Sequence, residues 1–193
     1  IASCLVGSEM CIRDRYIPEH YGKTVDEKET VFEIGYLIGE EEYLGKGIGK
    51  IIVKKLIGQE TFFIKKDIAS KEDAINYLCD NLIQLGYATQ EYKEDVFKRE
   101  EMAGTAFVQG FAVPHAITVQ PLRSTISVMV LKNPVKWGKY EVRLILLLSI
   151  SEQDNQMLHT FFDWLSNVLI DYNQLMQFIE VDNYQQFMKL MTA

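Results

Sequence analysis

The sequence lacks several features that would narrow its function at once. It has 193 residues and only three cysteines, Cys4, Cys11 and Cys79, an odd number with no metal-ligand spacing. A disulfide framework is therefore not expected, and buried or free thiols in a reducing, cytoplasmic compartment are. Three histidines and scattered carboxylates form no ligand pattern, so no metal site and no cofactor are expected. The chain has no basic stripe, and its formal charge of −7 argues against direct nucleic-acid contact, which needs clustered Lys and Arg. The longest nearly uncharged run of the second half, "LILLLSI" from Leu144 to Ile150, is far too short for membrane insertion. There is no internal repeat and no low-complexity tract.

What is present falls into two segments that meet near Gly58. The chain opens "IASCLVGSEMCIRDR" without an initiator Met, so the natural start is expected to be missing or altered. "IASC" resembles a lipoprotein cleavage box but lacks the charged and apolar regions that should precede it. "CLVGSEMCIRDR" resembles translated sequencing-adapter read-through. From Glu29 to Ile57, "VFEIGYLIG" has strand composition, "EEEYLGKGIGK" is a charged Gly-rich turn, and "KIIVKKLI" places Ile51, Ile52 and Leu56 on one helical stripe. Strand, glycine loop and helix can lay backbone N–H groups around a phosphate. This stretch is similar to the acetyl-coenzyme-A loop of GNAT-type acetyltransferases. The resemblance implies pyrophosphate contacts at Leu44, Gly45, Lys46, Gly47, Ile48 and Gly49, although Leu44 departs from the family's usual Arg or Gln. The strands that such an enzyme needs do not follow, so residues 1–58 are expected to be a fragment, non-functional as an N-acetyltransferase, joined by recombination, cloning or misassembly.

Residues 59–193 read as one α/β domain. "TFFIKKD" is a short strand or entry segment. Ser70 with Asp73 makes a capping box for a helix that runs to Gly86, and Thr89 caps a second helix with Tyr92, Val96 and Phe97 inward and Arg99 near its end. Strand-like runs are expected over 105–113, 125–131 and 142–150, with "KNPVKWGK" as a turn punctuated by Asn133 and Pro134. An amphipathic helix is expected over 156–170, and the last helix starts near the cap candidate Asp182. Helices before and after a set of strands predict a mixed β-sheet flanked by helices.

The chemistry concentrates in "FAVPHA". Pro114 fixes its own φ, removes an N–H and biases Val113 toward extended geometry, so the strand ends and His115 is offered at the rim of the sheet. A neutral imidazole is a nucleophile near pH 7. A lone histidine at a strand end is nonetheless more often packed or hydrogen-bonded than reactive, and the residues alone leave both readings open.

"KREEMAGTAFVQGFAVPHA" is similar to the signature of enzyme IIA domains of the mannitol/fructose class of the sugar phosphotransferase system. The matching positions are Arg99, Glu100, Thr105, Gly110, Ala112, Pro114 and His115, and the likeness continues through "DIASKEDAINYL", "NPVKW", "VRLILLLSI" and the following histidine. The resemblance implies that His115 accepts a phosphoryl group from the carrier protein HPr and passes it to a cysteine of a IIB domain or permease. It also implies that His159 lies beside His115 and that Arg99 meets the charge of the phosphoryl oxygens. The alternatives are a helix-flank histidine and a helix-terminal cation; for Thr105, a hydroxyl donor and a turn residue stand level. His20 reads as surface, and Cys79 sits on a helix rather than in a phosphate-accepting turn. Similar domains close antiterminator-type transcription regulators, so the resemblance implies that the same histidine serves either sugar uptake or a regulatory signal.

Overall fold

In the computed structural model, the described residues are 12–14, 32–34, 55–154, 161, 165 and 171–191. The chain divides into two units, residues 1–46 and 47–193. In the first, β1 (Ile12–Asp14) and β2 (Phe32–Ile34) pair antiparallel, with Ile12 opposite Ile34. β2 falls within the run read as a strand; the Gly-rich loop 44–49 lies outside the described residues.

The second unit is built on β3 (Phe62–Lys66), β4 (Phe111–Ala112), β5 (Thr125–Trp137) and β6 (Tyr140–Ser149). The sheet order is β3-β5-β6-β4, with β3 parallel to β5, β5 antiparallel to β6 and β6 parallel to β4. This is the mixed sheet expected. Between β3 and β4 in the chain lie α1 (Lys71–Gln84) and α2 (Gln90–Met102); after β6 come α3 (Tyr172–Ile179) and α4 (Tyr184–Met191). The near-continuous apolar runs of β5 and β6 are those of strands covered on both faces. On one face Met129, Leu131, Ile145 and Leu147 pack with Ile75, Leu78 and Leu82 of α1 and Tyr92 and Val96 of α2. On the other, Phe62, in register with Val128, meets Phe187 and Tyr184 of α4 at ring distances of 5.0 and 5.5 Å. Phe161 and Leu165 are helical and buried; the rest of the helix expected over 156–170 lies outside the described residues. Buried Leu56 and Ile57 lend their carbonyls to Thr125 and Tyr184, so packing reaches upstream of Gly58.

The helix signals hold. Ser70 Oγ accepts from Asp73 N at 3.0 Å, Thr89 Oγ1 accepts from Tyr92 N at 3.3 Å, and Gly86 takes a φ of +70° just past α1. Three local readings change. "KNPVKW" is strand, not turn: β5 continues to Trp137 because a bulge between Val130 and Val135 takes up Pro134, which has no N–H to pair. The turn is Gly138-Lys139 alone, with Gly138 at φ +62°. Residues 105–113 are not one strand, because Gly110 at φ +105° folds the chain back and stacks Phe107 on Phe111 at 4.5 Å. At α4, Asn183 rather than Asp182 accepts from Gln186 N, while Asp182 pairs with Lys65 at 2.6 Å.

Candidate functional site

His115 stands at the sheet edge where β4 gives out. The β4–β6 register, Phe111 opposite Leu144 and Ala112 opposite Ile145, persists beyond the strand, since His115 bridges Leu148 in the parallel sense. Pro114 is the reason the strand stops while its register does not. Its carbonyl still accepts from Leu148 N at 2.9 Å, but it has no N–H to return.

The half-buried ring of His115 is held at both nitrogens. Nδ1 lies 2.9 Å from the Val113 carbonyl oxygen, and Arg99 Nε donates to Nε2 at 3.2 Å. A carbonyl can only accept and a guanidinium can only donate. The proton therefore sits on Nδ1, and the Nε2 lone pair points at Arg99. Burial first, and the Arg99 charge second, lower the imidazole pKa from 6.5 to about 4, so the ring is neutral at pH 7.

α2 supplies the grip on this edge. Tyr92, Asp95 and Arg99 share one helical face. The Tyr92 hydroxyl lies 2.8 Å from both the Leu148 carbonyl and Ser149 Oγ, fixing the helix to the end of β6 that faces His115. Arg99 Nη1 donates to the Ala103 carbonyl at 2.8 Å, which leaves Nε aimed at the ring. The buried Asp95 carboxylate accepts from the backbone N–H groups of Ile117, Thr118 and Val119 at 2.8, 2.6 and 2.9 Å, and from the Thr118 hydroxyl at 3.2 Å. Burial opposes its ionisation, yet the donors outweigh it and hold the carboxyl below the usual range.

On the other side of α2, buried Glu100 accepts from the Thr105 hydroxyl at 2.6 Å, Thr105 N at 3.2 Å and Trp137 Nε1 at 2.6 Å, with Lys71 Nζ 3.8 Å away. The Thr105 carbonyl in turn accepts from Val113 N at 3.1 Å. Thr105 is thus a structural link whose hydroxyl proton is committed to Glu100.

Of the residues singled out from sequence, the structure brings Arg99 and His115 together; His159 and His20 lie outside the described residues. The roles of Asp95 and Glu100 were missed. Glu100 was a matching position of the signature without a role, Asp95 carried no local signal, and the partners of both lie elsewhere in the chain. Cys79 is buried on α1, and burial pushes its thiol up to about 12, so it stays protonated at neutral pH. Among the described residues, no group of three or more His, Cys, Asp or Glu gathers as a metal ligand set, and no helix is long and apolar enough to cross a membrane. The arrangement presents a neutral ring, one tautomer and a cation donating to its unprotonated nitrogen.

Comparison with known proteins bears on the family and the fold. Residues 55–193 match the family described as phosphoenolpyruvate-dependent sugar phosphotransferase system, EIIA 2. The chain is 28% identical over 132 residues to the probable licABCH operon regulator of Bacillus subtilis, covering 68% of this chain and 21% of that protein. It is 28% identical over 141 residues to the mannitol-specific phosphotransferase enzyme IIA component of Halalkalibacterium halodurans, covering 72% and 89% respectively. Enzyme IIA-mannitol from Escherichia coli, solved in complex with phosphorylated enzyme IIB-mannitol, superposes with a TM-score of 0.61 at 20% identity, covering 70% of this chain and 96% of that one. The chain thus carries the IIA-mannitol fold and belongs to the type-2 EIIA family of the sugar phosphotransferase system, as a IIA phosphocarrier domain.

Proposed function

We propose that His115 is the phosphoryl acceptor of this domain, through Nε2, with phosphorylated HPr as donor. The observation that carries the reading is the tautomer: Nδ1–H on Val113 O leaves Nε2 unprotonated, its lone pair engaged only by the Arg99 N–H, as the ring's nucleophile. In transfer, the P–N bond to the donor imidazole breaks and its electron pair stays with the donor as the P–Nε2 bond forms. The proton on Nδ1 does not move. The phosphorylated ring is then cationic, and Val113 O faces a stronger, charge-assisted donor. Arg99 is placed to exchange the Nε2 lone pair for a phosphoryl oxygen, meeting its charge with fixed N–H donors. His159 is assigned as a second ring supporting the transfer.

The downstream acceptor is proposed to be a IIB cysteine, as the IIA–IIB complex of the mannitol system supports. A second use, phosphorylation as the input of a transcription regulator, draws on the likeness to a segment of the licABCH operon regulator. Either use places the domain in the cytoplasm.

The test is incubation with enzyme I, HPr and labelled phosphoenolpyruvate. Acid-labile, base-stable label is expected on His115, absent in His115→Ala and slower to appear in Arg99→Gln and His159→Ala. An unlabelled wild-type chain beside demonstrably phosphorylated HPr would refute the assignment.

A further inference from the structure

We infer that Asp95 is a positioning residue for His115, holding the segment that leaves the ring so that Nε2 alone is offered to the donor. The inference rests on the reading of His115 as acceptor.

Three consecutive N–H groups, from Ile117 to Val119, converge on one carboxylate oxygen at 2.6 to 2.9 Å. Successive amides turned inward in this way form a concavity for an anion. Here the protein fills it with its own carboxylate, two residues past the reactive ring. Asp95 is 5% exposed and belongs to the same rigid helix that carries Arg99 one turn later. A single element therefore fixes both the cation over Nε2 and the backbone beyond the ring. From the other side, Glu100, Thr105 and Val113 form a chain of hydrogen bonds ending at Nδ1. His115 is the link between two anchored segments, and its orientation depends on both.

The segment from Ala116 to Val119 has no strand partner of its own in the sheet. Without the carboxylate, its three amides would turn to solvent or to another anion. Val113 O and Nδ1 would then lose their fixed relation, and both imidazole tautomers would become accessible. Rings that turn away from the Arg99 N–H can take the proton on Nε2 instead, and a protonated Nε2 cannot attack phosphorus. Donor docking, which depends on the surface rather than on the tautomer, would change little.

The experiment compares wild type with Asp95→Ala and Asp95→Asn by ¹⁵N NMR of the His115 ring and by steady-state phosphorylation from phospho-HPr. Wild type is expected to show the pure Nδ1–H pattern. Asp95→Ala should show averaged ring shifts and a turnover lower by about twofold or more, in proportion to the Nε2–H fraction read from those shifts, with KM for phospho-HPr nearly unchanged. Asp95→Asn, which keeps an acceptor oxygen, should restore the single tautomer and most of the rate. Should Asp95→Ala not fold, Asp95→Ser takes its place, because its hydroxyl falls short of the three amides. A lower melting temperature with wild-type ring shifts and wild-type turnover would overturn the inference and leave Asp95 as a loop anchor. The ring shifts need no phosphoryl donor, so this result is separable from a failure of His115 to accept phosphate.

Discussion

Two strands of one sheet, β6 and β4, lie side by side and do different work. β6 runs unbroken from Tyr140 to Ser149, and its residues from Leu144 to Ser149 are all buried. β4 is two residues long, bounded upstream by the Gly110 turn and cut downstream by Pro114. A strand whose amides and faces are all spent on neighbours can only support. One interrupted at a fixed register keeps its side chains in place while releasing its backbone, and His115 occupies that interruption. The difference separates changes that cost stability from changes that cost chemistry.

The largest effect on stability is expected in β6. Leu146→Ala should lower unfolding free energy by about 2–5 kcal/mol in a denaturant titration, while folded molecules still phosphorylate at near wild-type rate. A loss of phosphorylation without loss of stability would erase the distinction between the strands. Glu100→Ala should come next, on the order of 3 kcal/mol, because it orphans Trp137 Nε1 and the Thr105 donors. Unlike the β6 change it should also slow phosphorylation, since Thr105 tethers Val113.

Arg99→Gln should leave stability within about 1 kcal/mol. An NMR titration should then find the His115 pKa above about 4 yet still below 6.5, because burial is the larger cause of the depression. A full return to 6.5 would mean that the edge is open to water and the cation alone sets the ring. The smallest effect is the pH dependence of stability. The folded pKa of about 4 lies under the unfolded 6.5, so the unfolded chain takes up the proton first on acidification. Stability contributed by the neutral ring should therefore fall as pH drops from 6.5 to 4 and change no further below. Melting temperatures of wild type against His115→Ala across that window isolate the slope.

Much of this division was legible in the sequence. Ser70, Gly86, Thr89 and Pro114 act through their own backbone or a neighbour three residues away, so local chemistry announces them. Arg99 and His115 were paired by resemblance, and no local rule would have joined them. What escaped depends on partners in other elements. Pro134 looked like punctuation because a bulge can be recognised only against the opposite strand. Phe107 to Gly110 looked extended because folding back requires knowing where Phe111 stacks. Asp95 drew no reading at all, because its three donors lie 22 to 24 residues downstream.

On the proposed function, Arg99 covers the nitrogen it would serve. Because Nη1 is tied to the Ala103 carbonyl, the guanidinium has no need to swing away when a phosphoryl group arrives; only Nε must change partner. The resting and loaded domains would then differ by a small rotation about one tether, at the last turn of α2 beside exposed Met102. A partner touching that turn could tell the two states apart without reaching the histidine.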